Sequence, residues 1–122
     1  MNGKVEKDDQ DKLSYNIKQI EAFTLGDVES TRKILQSLID SSRKNLLLFK
    51  QYLAQRNYIL LAELAHKMLP MFRQLDARET VELLVLIEQK KLIDEQWQPI
   101  GNRAYERVTT LIQKIKTDFQ LE

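Results

Sequence analysis

The chain of 122 residues contains no cysteine. That absence excludes disulfides, thiol nucleophiles and thiolate metal sites together, and it suits a reducing compartment. Glycine and proline are scarce, with three and two copies, so few points along the chain force a break in regular structure. No apolar run approaches the roughly 20 residues that span a bilayer, and the polar stretch from Met1 to Lys12 lacks the apolar core of a signal peptide. A cytoplasmic setting without membrane contact is therefore expected. The 19 Lys and Arg nearly cancel the 18 Asp and Glu, leaving a net charge of +1. The basic residues are interspersed with acidic ones, which argues against a nucleic-acid surface.

Between the few breakers, apolar residues recur at steps of three and four, which is the period of a helix. The expected class is all-α. Residues 1–12 carry one sizeable apolar side chain, Val5, and cannot offset their ordering entropy by burial, so they read as a flexible linker. The folded domain is expected over 13–122. Ser14 is placed to cap a short first helix bearing Ile17, Ile20 and Phe23 or Thr24, ending at Leu25-Gly26. Asp27 caps a long second helix, roughly Val28 to Gln55, with Ile34, Leu38, Ser42, Leu46, Phe49 and Leu53 as its stripe. The pair Ser41-Ser42 marks a close helix approach.

Asn57 caps a third helix, Tyr58 to Leu75, and Asp76-Ala77-Arg78-Glu79 has the spacing of a capping box for a fourth. That fourth helix, around Glu79 to Lys91, is apolar on so many sides that it should be packed on most of them. After Asp94 a last helix carries Ile100, Ala104, Val108, Leu111, Ile115 and Phe119 along one seam, with Pro99 in its first turn. Short connections between long helices impose antiparallel neighbours. The architecture expected is an antiparallel up-down four-helix bundle with an extra short N-terminal helix closing one end.

His66, the single histidine, lies on the third helix. Leu61, Leu64, Ala65, Met68, Phe72 and Leu75 cluster within about 40° of one line, and His66 points roughly 140° away from it. An imidazole facing water offers an uncharged nitrogen at neutral pH that can attack an electrophile. Around it, Ile59, Ala62, Leu69, Pro70 and Arg73 fall on one strip, apolar but for Arg73, which suits protein docking better than a solvated face does. Pro70 deletes the hydrogen bond to the His66 carbonyl, and a kink is expected there. Arg73, and less directly Lys67, bring positive charge that would stabilise a phosphoryl group.

At these residues the sequence resembles the histidine-containing phosphotransfer (HPt) domain, whose hallmark helix reads Ala-His-x-Leu-Lys-Gly and is followed by Gly-Ala before the next helix. Ala65-His66 and Ala77 match. Phe23-Thr24-Leu25-Gly26-Asp27 is similar to the Gly-Asp start of the family's long second helix, and Leu86-Ile87-Glu88 to the end of its fourth. The resemblance spans about Leu13 to Lys91. Leu69 stands where the family has lysine, Pro70 where it has glycine, and Asp76 where it has the later glycine. The run Lys67-Met68-Leu69-Pro70-Met71-Phe72-Arg73-Gln74-Leu75 is similar to a variant form found at the ends of some hybrid sensor kinases.

The resemblance implies that His66 accepts a phosphoryl group from the aspartyl phosphate of one response-regulator receiver domain and passes it to another. It implies a monomeric carrier without its own kinase or ATP site, belonging to or partnering a hybrid sensor kinase. Glu88 matches the position that contacts the imidazole. Arg73 would replace the charge that Leu69 lacks. No cofactor or metal is expected in this chain, since Mg2+ in such an exchange belongs to the receiver. Two alternatives stand beside this reading. An autophosphorylating kinase helix pair has an acidic residue directly after its histidine and proline five positions on, whereas here Lys67 follows and Pro70 comes at four, with no glycine-rich nucleotide segment. The other is a degenerate helical module that binds a receiver without carrying phosphate.

Overall fold

The computed structural model describes residues 14–122; the linker expected over 1–12 lies outside them. Five helices follow in order: α1 Lys18–Thr24, α2 Val28–Ala54, α3 Tyr58–Gln74, α4 Arg78–Glu88 and α5 Asp94–Asp118. No strand occurs among the described residues, and none of their helices is long and apolar enough to cross a membrane.

Local chemistry sets the helix starts. The Asp27 carboxylate accepts the Ser30 N–H at 2.9 Å, and the Asn57 side chain accepts the Leu60 N–H at 3.3 Å, each satisfying one of the unpaired donors of a first turn. Two caps differ from expectation. The cap of α1 is Ile17, three residues beyond Ser14, because Asn16 is held in place by its N–H donating to the Leu75 carbonyl at 2.8 Å. Ala77, and not Asp76, caps α4 without any side-chain bond. Asp76 adopts φ 51° and instead accepts from the Asn16 side chain at 3.2 Å.

Asp76 illustrates a general device. Leu25, Arg56, Asp76, Lys90 and Gln120 all take positive φ just past a helix end. At four of those ends an amide reaches back five residues to a carbonyl: Gly26 to Glu21, Asn57 to Tyr52, Ala77 to Phe72 and Leu121 to Lys116. Those bonds satisfy last-turn carbonyls and end each helix within a single turn. Each non-glycine residue held there costs about 1–2 kcal/mol relative to a right-handed conformation. The connections between the long helices are short.

Packing then assigns neighbours. α2 lies against α3 and α5, α4 lies against α3 and α5, and α1 touches α2. The shared core takes Leu35, Phe49 and Leu53 from α2, Leu61, Met68 and Phe72 from α3, Leu84 and Ile87 from α4, and Val108, Leu111 and Ile115 from α5. Ser42, fully buried, donates its hydroxyl to Met71 Sδ at 3.4 Å, so of the serine pair only this one faces a neighbour. Tyr58 and Trp97 stack with ring centroids 4.4 Å apart. A β-carbon at Gly101 would fall 2.5 Å from Leu53 Cδ1, so the missing side chain is what lets α5 approach α2.

Two details of α4 and α5 depart from the sequence reading. α4 buries Thr80, Leu83, Leu84 and Ile87 but leaves Leu86 exposed and Val81 and Val85 half-buried. It is therefore packed on one broad face and not on most sides, its main neighbours among the described residues being α3 and α5. α5 begins at Asp94, because Gln96 reaches back to accept the Ile93 N–H at 3.0 Å. Pro99 consequently sits in the second turn, at an exposed position where the carbonyl it leaves unpaired can meet water.

Candidate functional site

The buried arc of α3 is wider than a single seam. Its buried residues Leu61, Ala62, Leu64, Ala65, Met68, Leu69 and Phe72 cover about 160° of the helix circumference at 100° per residue, because α2 and α4 press on it from different sides. His66 lies about 40° past the edge of that arc, and its side chain is 79% exposed.

This breadth corrects two docking residues. Leu69 is fully buried and Ala62 is 2% exposed, so neither belongs to a water-facing strip. Reckoned from one seam, both fall on the outside, whereas α4 covers the flank they occupy. Ile59 remains 65% exposed and Pro70 is exposed, so those two do lie on the outer surface. The helix assignment runs without interruption through Pro70.

Glu88 is the last residue of α4, one past the buried Ile87. Its carboxylate Oε2 pairs with His66 Nδ1, although 22 positions separate them in sequence, and its side chain is 28% exposed. The carboxylate only accepts, so the ring carries its hydrogen on Nδ1 and donates it to Glu88. In that tautomer of the neutral ring Nε2 is the nitrogen without a hydrogen, and it has no hydrogen-bond partner among the described residues.

A shallow hollow of about 250 Å³ surrounds the ring, lined by Ala62, Glu63, His66, Glu88 and Lys90. The small methyl of Ala62, one turn before the histidine, leaves this space open. Lys67 and Arg73 are elsewhere. They line a different depression together with Pro70, Met71, Gln74 and Gln19, on the flank where α1 and α2 meet α3. Arg73 is two turns from His66, about 10 Å along the axis, and neither cation lines the hollow around the ring.

No family model matches the chain, nor does any curated protein or solved structure. The chemistry must therefore be read from the geometry itself. A fixed imidazole with one nitrogen tied to a carboxylate and the other open can act as a nucleophile toward an incoming electrophilic centre. Among the described residues no group of three or more His, Asp or Glu is arranged to hold a metal ion. Glu63 and Lys90 are the residues that sequence reasoning missed. Glu63 lies three positions before His66, a spacing that places them side by side on a helix. Lys90 enters only through the left-handed turn after Glu88, where φ is 56°, and periodicity does not foretell such a turn.

Proposed function

We propose that this chain is a histidine phosphotransfer domain of a two-component phosphorelay, in which His66 takes a phosphoryl group from a receiver-domain aspartate and hands it to another receiver. The observation that carries this reading is the orientation of His66: exposed, with Nδ1–H given to Glu88 and Nε2 open. The step conserves atoms and charge. Nε2 attacks phosphorus, the bond from phosphorus to the aspartyl oxygen breaks, the aspartate leaves as carboxylate, and the proton on Nδ1 stays where Glu88 holds it. Mg2+ serves from the receiver's acidic pocket.

The architecture that goes with this reading is an antiparallel up-down four-helix bundle of α2 to α5, with α1 closing one end. Supporting it are the cyclic order of helix neighbours and the short reversals between them. Gln98, near the start of α5, donates to the Leu53 carbonyl near the end of α2, while Arg32, near the start of α2, donates to the Phe119 carbonyl past the end of α5. A receiver would approach over Ile59 and Pro70, the exposed apolar residues on the histidine side of α3.

A second reading, a helical module that binds a receiver without carrying phosphate, is favoured by Leu69: where the resembled family has lysine, this chain has a fully buried leucine. Incubation with a panel of phosphorylated receiver domains decides between the two. Acid-labile label on the chain that is lost in His66→Gln supports the carrier; binding to a receiver with no label from any donor supports the module.

A further inference from the structure

We infer that Lys90 is the cation that holds the phosphoryl group on His66, a role that neither Lys67 nor Arg73 is placed to fill. The inference rests on the phosphotransfer reading and adds to it the residue that makes the phosphorylated state electrostatically tolerable.

The hollow around His66 is lined by two carboxylate side chains, Glu63 and Glu88, and by the ammonium-bearing Lys90. A phosphoryl group on Nε2 brings close to two negative charges into that space. Glu88 is committed to Nδ1–H, and Glu63 forms no ion pair among the described residues. Without a cation, the incoming group would meet only like charge. Lys90 also forms no ion pair among the described residues, in contrast to Lys33, Lys114, Arg103 and Arg107. Its ammonium is therefore uncommitted, on a residue that lines the hollow the phosphoryl group would enter.

The backbone explains its position. α4 ends at Glu88, Gln89 follows as its cap, and Lys90 takes the left-handed conformation with its N–H donating to the Ile87 carbonyl at 3.2 Å. The same turn that ends α4 thus brings Glu88 and Lys90 to the one hollow, the carboxylate paired with Nδ1 and the lysine among the residues lining the space around the ring. Lysine suits this task as a point charge on a flexible stem.

Phosphoramidate, a small donor whose phosphorus leaves ammonia on transfer, tests this without any receiver. With wild type, Lys90→Ala, Lys90→Arg and Lys91→Ala, the labelling rate of His66 is followed by mass spectrometry. Lys90→Ala is expected to label about three- to tenfold more slowly, Lys90→Arg to stay within about twofold of wild type, and Lys91→Ala to be unchanged. Labelling of Lys90→Ala within twofold of wild type, or a larger loss in Arg73→Ala, overturns the assignment.

Inorganic phosphate supplies an independent readout. Titration followed by the His66 ring proton resonances should show a saturable shift that is lost in Lys90→Ala and recovered in Lys90→Arg. If wild type resists labelling yet shows that Lys90-dependent shift, phosphotransfer fails while the anion site stands. If the shift persists in Lys90→Ala, the anion site is not built on Lys90.

Discussion

Replacing Leu69 by lysine would restore the residue that the resembled family carries three positions after its histidine, and the structure predicts damage where sequence comparison predicts repair. Leu69 is fully buried on α3, inside the arc covered by α2 and α4. Truncating a leucine at such a position costs about 2–5 kcal/mol. Lysine keeps some of the aliphatic contact by extending its stem toward the surface, but the ammonium has to leave the core or lose its hydration. A loss of about 3–4 kcal/mol is a fair central value, set against total stabilities of about 5–15 kcal/mol for domains of this kind. With a urea dependence of about 2 kcal/mol per molar, the midpoint should fall by roughly 1.5–2 M. Leu69→Met, which conserves volume, should cost less than about 1.5 kcal/mol. Equilibrium urea unfolding followed by circular dichroism reads both. A Leu69→Lys midpoint within about 0.3 M of wild type would refute the burial argument and return Leu69 to the surface.

Other single substitutions test the same picture. Ala62→Glu places a carboxylate at a 2%-exposed site and should destabilise the fold by about 2–4 kcal/mol in the same assay, whereas Ile59→Glu should leave stability within about 0.5 kcal/mol and weaken receiver binding, as titration calorimetry would show. Arg56→Gly relieves a residue held at φ 55° and should raise stability by about 0.5–1 kcal/mol. The Asp27 carboxyl is held below the ordinary carboxylate range, chiefly by its hydrogen bond from Ser30. Its contribution is complete above the unfolded value of about 3.9 and is lost as pH falls through the lower folded value, so Asp27→Asn should flatten that part of an acid-unfolding curve. Tyr15 moves the other way: burial, then its bond to Asp118, push its hydroxyl above the usual range. Stability should decline as pH rises past about 10, where the unfolded tyrosine ionises, and Tyr15→Phe should remove that decline.

The helices were legible because periodicity reports burial directly. Leu61, Leu64, Ala65, Met68, Phe72 and Leu75 are all buried as their spacing required, and Asp27 and Asn57 cap as their chemistry required. The exposure of His66 followed from the same reckoning. What it could not convey was width. One seam does not reveal how many neighbours press on a helix, and Ala62 and Leu69 were misplaced because α4 covers a second flank of α3. Helix ends were also hard to read. Among the described residues, five non-glycine positions adopt left-handed backbone, with no glycine there to announce it, and one of them, Lys90, shapes the candidate site. Glu88 was reached through the resemblance to a known domain, since no local pattern links residues 22 positions apart.

The arrangement at His66 makes a claim about one atom. Because Glu88 occupies Nδ1, a phosphoryl group accepted by His66 under the proposed function would bond to Nε2. Proton-detected phosphorus correlation spectra of the phosphorylated chain distinguish the two ring isomers by their couplings to the imidazole carbon-bound protons. The account predicts a single isomer attached at Nε2 of His66. Phosphorus on Nδ1, or on a residue other than His66, would contradict it.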